Sequence, residues 1–162
     1  MSESLRKTFK YKLKPSAEQE RELERVLMLC RRLYNTALEQ RKTAYERCVV
    51  SLSRYGQEAE LKAIRAEMPE YVAIHSHVLQ DVLARLDNAF QAFFRRIREG
   101  QTPGYPRFHG RNRYNSFTYK EFGNGARLDN GFLVLAKIGR LMVRWSRPLE
   151  GTPKTVTISR EA

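Results

Sequence analysis

Residues 104–108 read Gly-Tyr-Pro-Arg-Phe, and the hydrophobic pattern changes its period at this stretch. Before it, apolar residues recur every three or four positions as far as Ile97, which is typical of amphipathic helices. After Arg113 they alternate with polar residues, which is typical of half-buried strands. We therefore expect an α+β chain, with its helices before this stretch and most of its strands after it.

The segment from Arg95 to Arg147 is strongly basic. It contains 12 Lys or Arg and 3 acidic residues, so it carries +9 of the net charge of +12 in this 162-residue chain. Aromatic side chains are interspersed among these cations, and such a composition suits a polyanion with bases that can stack. A nucleic acid is therefore the expected partner. An anionic membrane surface would suit the same net charge. No apolar run approaches the roughly 20 residues that span a bilayer, so no spanning helix is predicted, and no membrane partner is expected.

Signals for secretion, disulfides and metal binding are missing from the sequence. The first 14 residues contain no apolar signal-peptide core, so we expect a cytoplasmic location. Cys30 and Cys48 would lie about 27 Å apart on one helix, too far for a disulfide, and both are expected to be reduced core residues. There is no CxxC pair, and the three histidines make no metal set with the cysteines. No cofactor is expected in this chain.

Three helices are predicted before the change of period. Ser16 and Gln19 match a capping box, which predicts a helix over about 16–49. A shorter helix is predicted over 57–67, and a third begins near Ser76. The apolar face of the third helix, expected to lie in the core, consists of Leu79, Val82, Leu83, Leu86, Phe90, Phe93, Phe94 and Ile97.

Strands are predicted on both sides of the helices. Residues 5–13 alternate between apolar side chains and lysines, which predicts a strand with one buried and one cationic face. Residues 117–120 and 141–145 alternate as well, with Trp145 expected in the core, and 154–159 should form the last strand. Asp129-Asn130-Gly131 predicts a tight hairpin turn.

An isolated hairpin would be marginally stable, so we expect the first strand to join the later ones. The predicted fold is a small, mainly antiparallel β-barrel made of residues 1–15 and 114–162. A helical bundle, residues 16–113, is inserted into it.

Six stretches follow one another along the chain: FKYKLKP (9–15), CRRLYN (30–35), 79–95, GYPRF (104–108), KIG (137–139) and 147–157. In this order they resemble the TnpB (OrfB) family of RNA-guided nucleases encoded by insertion sequences. These nucleases are similar to compact type V CRISPR effectors. The N-terminus of the family has an older description as a helix-turn-helix DNA-binding domain, which is an analogy and does not make the chain an independent repressor.

The resemblance implies a split barrel, the wedge domain, that holds an inserted recognition domain. It implies guide RNA and target DNA as partners. It also implies a RuvC-like nuclease domain with three metal-binding carboxylates and a zinc ribbon, beyond Ala162, so Mg and Zn are expected only there. The chain is accordingly expected to be the binding half of a nuclease, from a truncated gene, a split gene or a fragment, without catalysis of its own.

The first two groups of candidate nucleic-acid contacts precede the third helix. The first strand would hold RNA phosphates, although lysines also guard sheet edges. Its candidates are Lys7, Lys10, Lys12 and Lys14. The first helix would use arginine forks on phosphates or bases, although pairing with glutamates on neighbouring helices is the alternative. Its candidates are Arg31, Arg32 and Asn35.

Two further groups lie at the ends of the third helix. Its N-terminus suits a phosphate, glutamine can pair with adenine, and the resemblance directs this region toward the short target-adjacent DNA motif. The candidates there are Tyr55, Ser76, His77 and Gln80, with an ordinary Ser76 cap as the alternative. Its C-terminus and the following loop could clamp a guide–target duplex, or serve only the helix dipole and solubility. Those candidates are Arg95, Arg107, Phe108, Arg111 and Arg113.

Three other functions remain open from the sequence. The chain could be a truncated transposon-encoded DNA-binding regulator that needs no guide. It could be a basic ribosome-associated RNA-binding protein. It could also be a catalytic fragment, although no two-metal carboxylate set is apparent.

Overall fold

The change of hydrophobic period divides the fold as predicted. The computed structural model describes residues 5–161. In that part of the chain, one strand precedes the helices and five strands follow them. The elements are β1 (Lys12–Lys14), α1 (Ala17–Cys48), α2 (Arg54–Ala59), α3 (Leu61–Glu67), a 3₁₀ turn (Pro69–Ala73), α4 (Ser76–Arg98), β2 (Ser116–Tyr119), β3 (Ala126–Asp129), β4 (Phe132–Leu135), β5 (Gly139–Arg144) and β6 (Val156–Ser159).

The long helix α1 begins at the predicted capping box. Ser16 Oγ accepts the Gln19 N–H at 3.2 Å, and Gln19 Oε1 accepts the Ser16 N–H at 3.0 Å. Gln19 Nε2 also donates to the Arg140 carbonyl at 2.6 Å, which ties the start of α1 to β5. The helix ends at Val49, whose φ of 53° is left-handed. The prediction of one helix over about 16–49 is therefore confirmed.

The helix predicted over 57–67 is divided and starts earlier. Ser53 Oγ accepts the Gly56 N–H at 3.1 Å, so α2 begins at Arg54. Glu60 separates α2 from α3. The serine cap carries the start signal, which the apolar pattern alone did not reveal.

Helices α1 and α4 pack against each other around the helical core. A buried polar network also joins them to α2. The Arg41 Nε donates to Gln57 Oε1 at 2.8 Å, and its Nη2 donates to Asp87 Oδ1 at 3.2 Å. Cys30 is fully buried but Cys48 is exposed, and both are free. The prediction that both cysteines are reduced is confirmed, and the prediction that both lie in the core is wrong for Cys48.

The last turns of α4 are less buried than predicted. Phe90 is 7% exposed, whereas Phe94 and Ile97 are 48% and 50% exposed. The placement of Phe94 and Ile97 in the core is therefore wrong. The ring of Tyr105 packs on this end, with its centroid 5.3 Å from that of Phe93, but Phe94 and Ile97 stay about half exposed.

The strands form two antiparallel sheets. The first has the order β1-β5-β4-β3, with Leu13 opposite Val143, and the second pairs β2 with β6. The first strand therefore joins the later ones as predicted, although it covers only Lys12–Lys14. Asn130 and Gly131, with φ of 49° and 82°, form the predicted tight turn between β3 and β4. No closed barrel is seen within residues 5–161, so the barrel is not confirmed.

Trp145 lies beyond the end of β5 and is 40% exposed, so its placement in the core is wrong. Its ring meets the edge of Tyr11 at 4.7 Å between centroids, and its Nε1 donates to the Gly131 carbonyl at 2.9 Å. It thus covers the hairpin turn from outside. The alternation alone could not show where the strand stops.

The helices and both sheets share one hydrophobic core. Arg85 on α4 is the main polar link to the smaller sheet, since its guanidinium donates to Ser116 and Thr118 on β2. The division into residues 1–15 with 114–162 and residues 16–113 stays a prediction. Among residues 5–161, no helix combines the length and apolar character that crossing a bilayer requires.

Candidate nucleic-acid interface

The basic loop, residues 104–113, is fixed to the middle of α1. Asn35 uses both ends of its amide on one residue of the loop. Its Oδ1 accepts the His109 N–H at 2.8 Å, and its Nδ2 donates to the His109 carbonyl at 2.9 Å. Arg31 Nη1 donates to the same carbonyl at 3.3 Å. The structure thus brings two predicted α1 contacts to the loop, with their polar groups directed at its backbone.

The ring of His109 anchors the loop a second time. It meets the edges of Tyr34 and Tyr114 at centroid distances of 4.5 and 5.3 Å. Its Nδ1–H donates to the Arg113 carbonyl at 3.2 Å, and the Arg113 N–H donates to the Gly110 carbonyl at 3.1 Å. Burial raises the pKa of the Tyr34 and Tyr114 hydroxyls, so both rings stay neutral beneath the loop.

The outer side of the loop presents cations to solvent. Arg107, Arg111 and Arg113 are exposed, and Phe108 is 51% exposed beside Arg107. A cleft between the loop and α1 is lined by Lys42 and Arg107 among others. Within the described part of the chain, none of the three loop arginines has a carboxylate within 4.0 Å. Their charge is therefore available to an anion.

Arg95 and Arg32 have no ion pair within residues 5–161 either, and both side chains are exposed. Arg95 lies in the last turn of α4, next to Arg96 and Arg98. The alternative for the α1 arginines, pairing with glutamates on neighbouring helices, is not what the described residues show.

The lysines of the first strand divide into two kinds. Lys7 pairs with Glu150 at 3.8 Å, and Lys10 pairs with Glu161. Lys12 and Lys14 are exposed, and no carboxylate of residues 5–161 lies within 4.0 Å of either. Phosphate contact is thus open to two of the four without breaking an ion pair.

Three arginines that were not predicted as contacts lie on the four-stranded sheet that contains β1. Arg144 stands opposite Lys12 in the sheet, so the two share a face. Arg140 lies on the same face, over the ring of Phe132 at 4.8 Å, and pairs with Asp129 at 3.1 Å. Arg127 pairs more loosely with the same aspartate, at 3.9 Å. The period of two over residues 140–144 was a signal that could have placed Arg140 and Arg144 on the face opposite buried Leu141.

The N-terminus of α4 is capped by His75 and not by Ser76. His75 Nδ1 accepts the His77 N–H at 3.1 Å, and its Nε2–H donates to Asn124 Oδ1 at 3.1 Å. Burial lowers the pKa of His75, and the nearby cationic side chains lower it further, against the hydrogen bond to Asn124. The alternative reading of Ser76 as the cap is therefore wrong.

The remaining candidates at α4 are not all brought together. Gln80 Oε1 accepts a hydrogen bond from Lys120 Nζ, so an amide and an ammonium stand side by side on the surface. His77 is half-buried, and no hydrogen bond to its buried Nδ1 is seen within residues 5–161. Tyr55 is 75% exposed on α2. Arg41 of α1 links Gln57 of α2 to Asp87 of α4. Asp87 lies roughly 10 Å along the α4 axis from Gln80.

Metal-binding chemistry is not evident in the described residues. Among residues 5–161, no three His, Cys, Asp or Glu side chains are grouped so that they could hold a metal ion. Burial raises the pKa of the Cys30 thiol to about 12, which makes it a poor ligand and nucleophile at neutral pH.

The N-terminal part of the chain matches a known protein family. Residues 1–48 match a family model of OrfB proteins described as a helix-turn-helix domain. The described part of that match consists of β1 and the single continuous helix α1, with no turn between two helices. The description therefore names the sequence family and not the local geometry.

Two relatives match nearly the whole chain. It is 35% identical, over 99% of its length, to a protein of Streptomyces pristinaespiralis named as an RNA-guided DNA endonuclease. It is 31% identical, over 93% of its length, to the Escherichia coli K12 protein named as the RNA-guided DNA endonuclease InsQ. The chain spans 40% and 37% of the lengths of these relatives. The N-terminal family match and these two relatives together show that the chain belongs to the TnpB/OrfB family.

Proposed function

We propose that this chain is the nucleic-acid-binding part of a TnpB-like RNA-guided DNA endonuclease. It would hold guide RNA and target DNA in the cytoplasm, while base pairing reads most of the sequence and the protein reads backbone shape and a short motif. The observation that carries the proposal is the anchored basic loop, which presents Arg107, Arg111 and Arg113 without acidic partners in the described part of the chain. The two relatives, both named as RNA-guided DNA endonucleases, support the same class of partner.

The sheets and the helices would bind different nucleic acids. The sheets, with their charged face around Lys12 and Arg144, would hold the guide RNA. The helices and the basic loop would face the target DNA and its duplex with the guide. Residues 1–15 with 114–162 would act as the wedge, closed into a barrel-like unit in the complex, and residues 16–113 as the recognition unit. Mg and Zn would belong to a separate nuclease part, and these residues would bind without cutting.

Salt dependence tests the role of the basic loop. Each arginine–phosphate contact contributes roughly 0.9 to the slope of log affinity against log salt on duplex DNA. The variant R107A/R111A/R113A should therefore lower the slope by about 2 to 3 and weaken binding of a labelled RNA–DNA duplex. A control with the same change in net charge, R21A/R25A/R54A, should lower it by less than about 1. Equal slopes in the two variants would refute the role of the loop.

Base recognition at α4 is tested separately. If Gln80 reads one base, Q80A should weaken binding at one position of a target library by about 1–3 kcal/mol and leave other positions unchanged. K120A should weaken binding more uniformly, because an ammonium near a phosphate carries little sequence information. A uniform effect of Q80A would assign it no reading role.

Binding without RNA distinguishes the other functions. Tight, sequence-selective binding of duplex DNA by the protein alone would favour the DNA-binding regulator. Co-sedimentation with ribosomes at moderate salt would favour the ribosome-associated protein. Cleavage of DNA on addition of Mg²⁺ to the chain alone would show catalysis that the proposal does not include.

A further inference from the structure

We propose that Asn35 positions the basic loop and does not itself contact nucleic acid. Arg31 supports it by donating to the same His109 carbonyl. By fixing the peptide groups of His109, Asn35 would hold the loop arginines in the arrangement that a sugar-phosphate backbone binds. This inference rests on the proposed function of the loop. It replaces the expectation from the sequence that Asn35 reads the ligand directly.

The amide of Asn35 is fully used by one loop residue. Its carbonyl oxygen and its NH₂ group meet the N–H and the carbonyl of His109, at 2.8 and 2.9 Å. Among side chains of this length only asparagine carries a donor and an acceptor in this arrangement. Aspartate would keep the acceptor for the N–H but would place an oxygen against the His109 carbonyl. The match is therefore specific to the residue and is not a general polar contact.

The loop has little structure of its own. Residues 104–113 belong to no helix or strand. Within the described chain they make one backbone–backbone hydrogen bond, from the Arg113 N–H to the Gly110 carbonyl. Asn112 has a positive φ of 63° within that turn. Asn35, in contrast, stands in the interior of the 32-residue helix α1. The rigidity of the loop is thus supplied by the helix through His109.

His109 lies between the cations that it would position. Arg107 is two residues before it and Arg111 two residues after it, and the ring of His109 also holds the Arg113 carbonyl. A shift of the His109 peptide therefore moves all three arginines. Ordering a loose loop during binding costs conformational entropy, so prior anchoring increases affinity without any new contact to the ligand.

A double-mutant cycle on the full chain tests this mechanism. The probe is a labelled RNA–DNA duplex, and the proteins are wild type, N35A, R107A/R111A/R113A and the combination of all four changes. We expect N35A alone to weaken binding roughly tenfold, equivalent to immobilising one or two long side chains. In the loop-neutralised background the same change should cost less than about twofold, because there is nothing left to position. T36A, on the exposed side of the same helix, is the matched control and should bind as wild type.

Hydrogen exchange gives the readout that separates positioning from contact. In free N35A, the amides of residues 109–113 should exchange faster, while those of the α1 core should keep their wild-type rates. N35D is the second variant and should loosen the same amides, so the test survives if N35A folds poorly. Equal effects of N35A in both backgrounds, with unchanged loop exchange, would overturn the inference by showing a direct contact. Unimpaired binding by R107A/R111A/R113A would instead refute the proposed function of the loop, whatever the exchange rates are.

Discussion

Arg85 joins the helical part of the chain to the smaller sheet, and its removal is the sharpest test of that junction. Its Nη1 donates to the Ser116 carbonyl at 2.8 Å, its Nη2 donates to Thr118 Oγ1 at 2.9 Å, and its Nε donates to Asp81 at 2.9 Å. Its guanidinium also lies over the ring of Tyr114 at 5.5 Å. All three of its nitrogens are thus used, two of them across the boundary between α4 and β2.

The magnitude follows from these contacts. A hydrogen bond with a charged partner contributes about 1.5–3 kcal/mol net, but the three share one side chain that is 29% exposed and are not additive. We therefore expect R85A to lower the free energy of unfolding by about 3 kcal/mol. For a domain of this size that corresponds to a Tm lower by about 6–12 °C.

Arg54 offers a matched control. It also bonds an acidic residue one turn away on its own helix, Glu58 at 3.0 Å, but the structure gives it no hydrogen bond to another element within residues 5–161. R54A should cost only about 0.3–0.5 kcal/mol, as exposed helix pairs do. Urea unfolding followed by circular dichroism would compare the two variants. Equal midpoints for R85A and R54A would show that the links to β2 contribute nothing.

Three further predictions concern single side chains. A thiol reagent should modify exposed Cys48 in the native protein but reach Cys30 only on unfolding, because burial hides the Cys30 thiol and raises its pKa to about 12. Two fast-reacting thiols in native buffer would contradict the structure. Folding lowers the pKa of His75 below its ordinary value near 6.5, so the contribution of His75 to stability should be fully present above pH 6.5 and should be lost as the pH drops below it. H75Q should flatten this pH dependence of the unfolding midpoint. G125A should destabilise by at least about 1 kcal/mol, since a Cβ would lie 2.8 Å from the His75 ring at a φ of +89°, and an unchanged Tm would disprove that contact.

The helices and the central hairpin could be predicted because their signals are local. The capping box at Ser16 and the turn at Asn130-Gly131 fix backbone angles within a few residues of themselves. The failures concern long-range packing. Whether Phe94 and Trp145 are covered depends on where α4 and β5 extend past their neighbours, which no local pattern encodes. Whether the sheets close into a barrel depends on how their edge strands meet, which is also a long-range property.

The candidate site divides in a similar way. The basic segment was visible as composition, and its exposed loop arginines follow from it. The use of Asn35 could not be predicted, because its partner is a backbone peptide 74 residues further along the chain. Sequence identifies a side chain that can donate and accept, but only the fold shows that its amide is already occupied.

The pairing of β1 with β5 sets the timing of folding. Lys12 can pair with Arg144 only after about 130 more residues have been synthesised, whereas α1 and α4 can pack together as soon as the chain has passed residue 98. During translation the helical bundle should therefore collapse first, and the N-terminal segment should stay unpaired until β5 has been synthesised. Closure of so long a loop is slow relative to local contacts, so refolding should show early helix formation and a later phase in which the sheet forms.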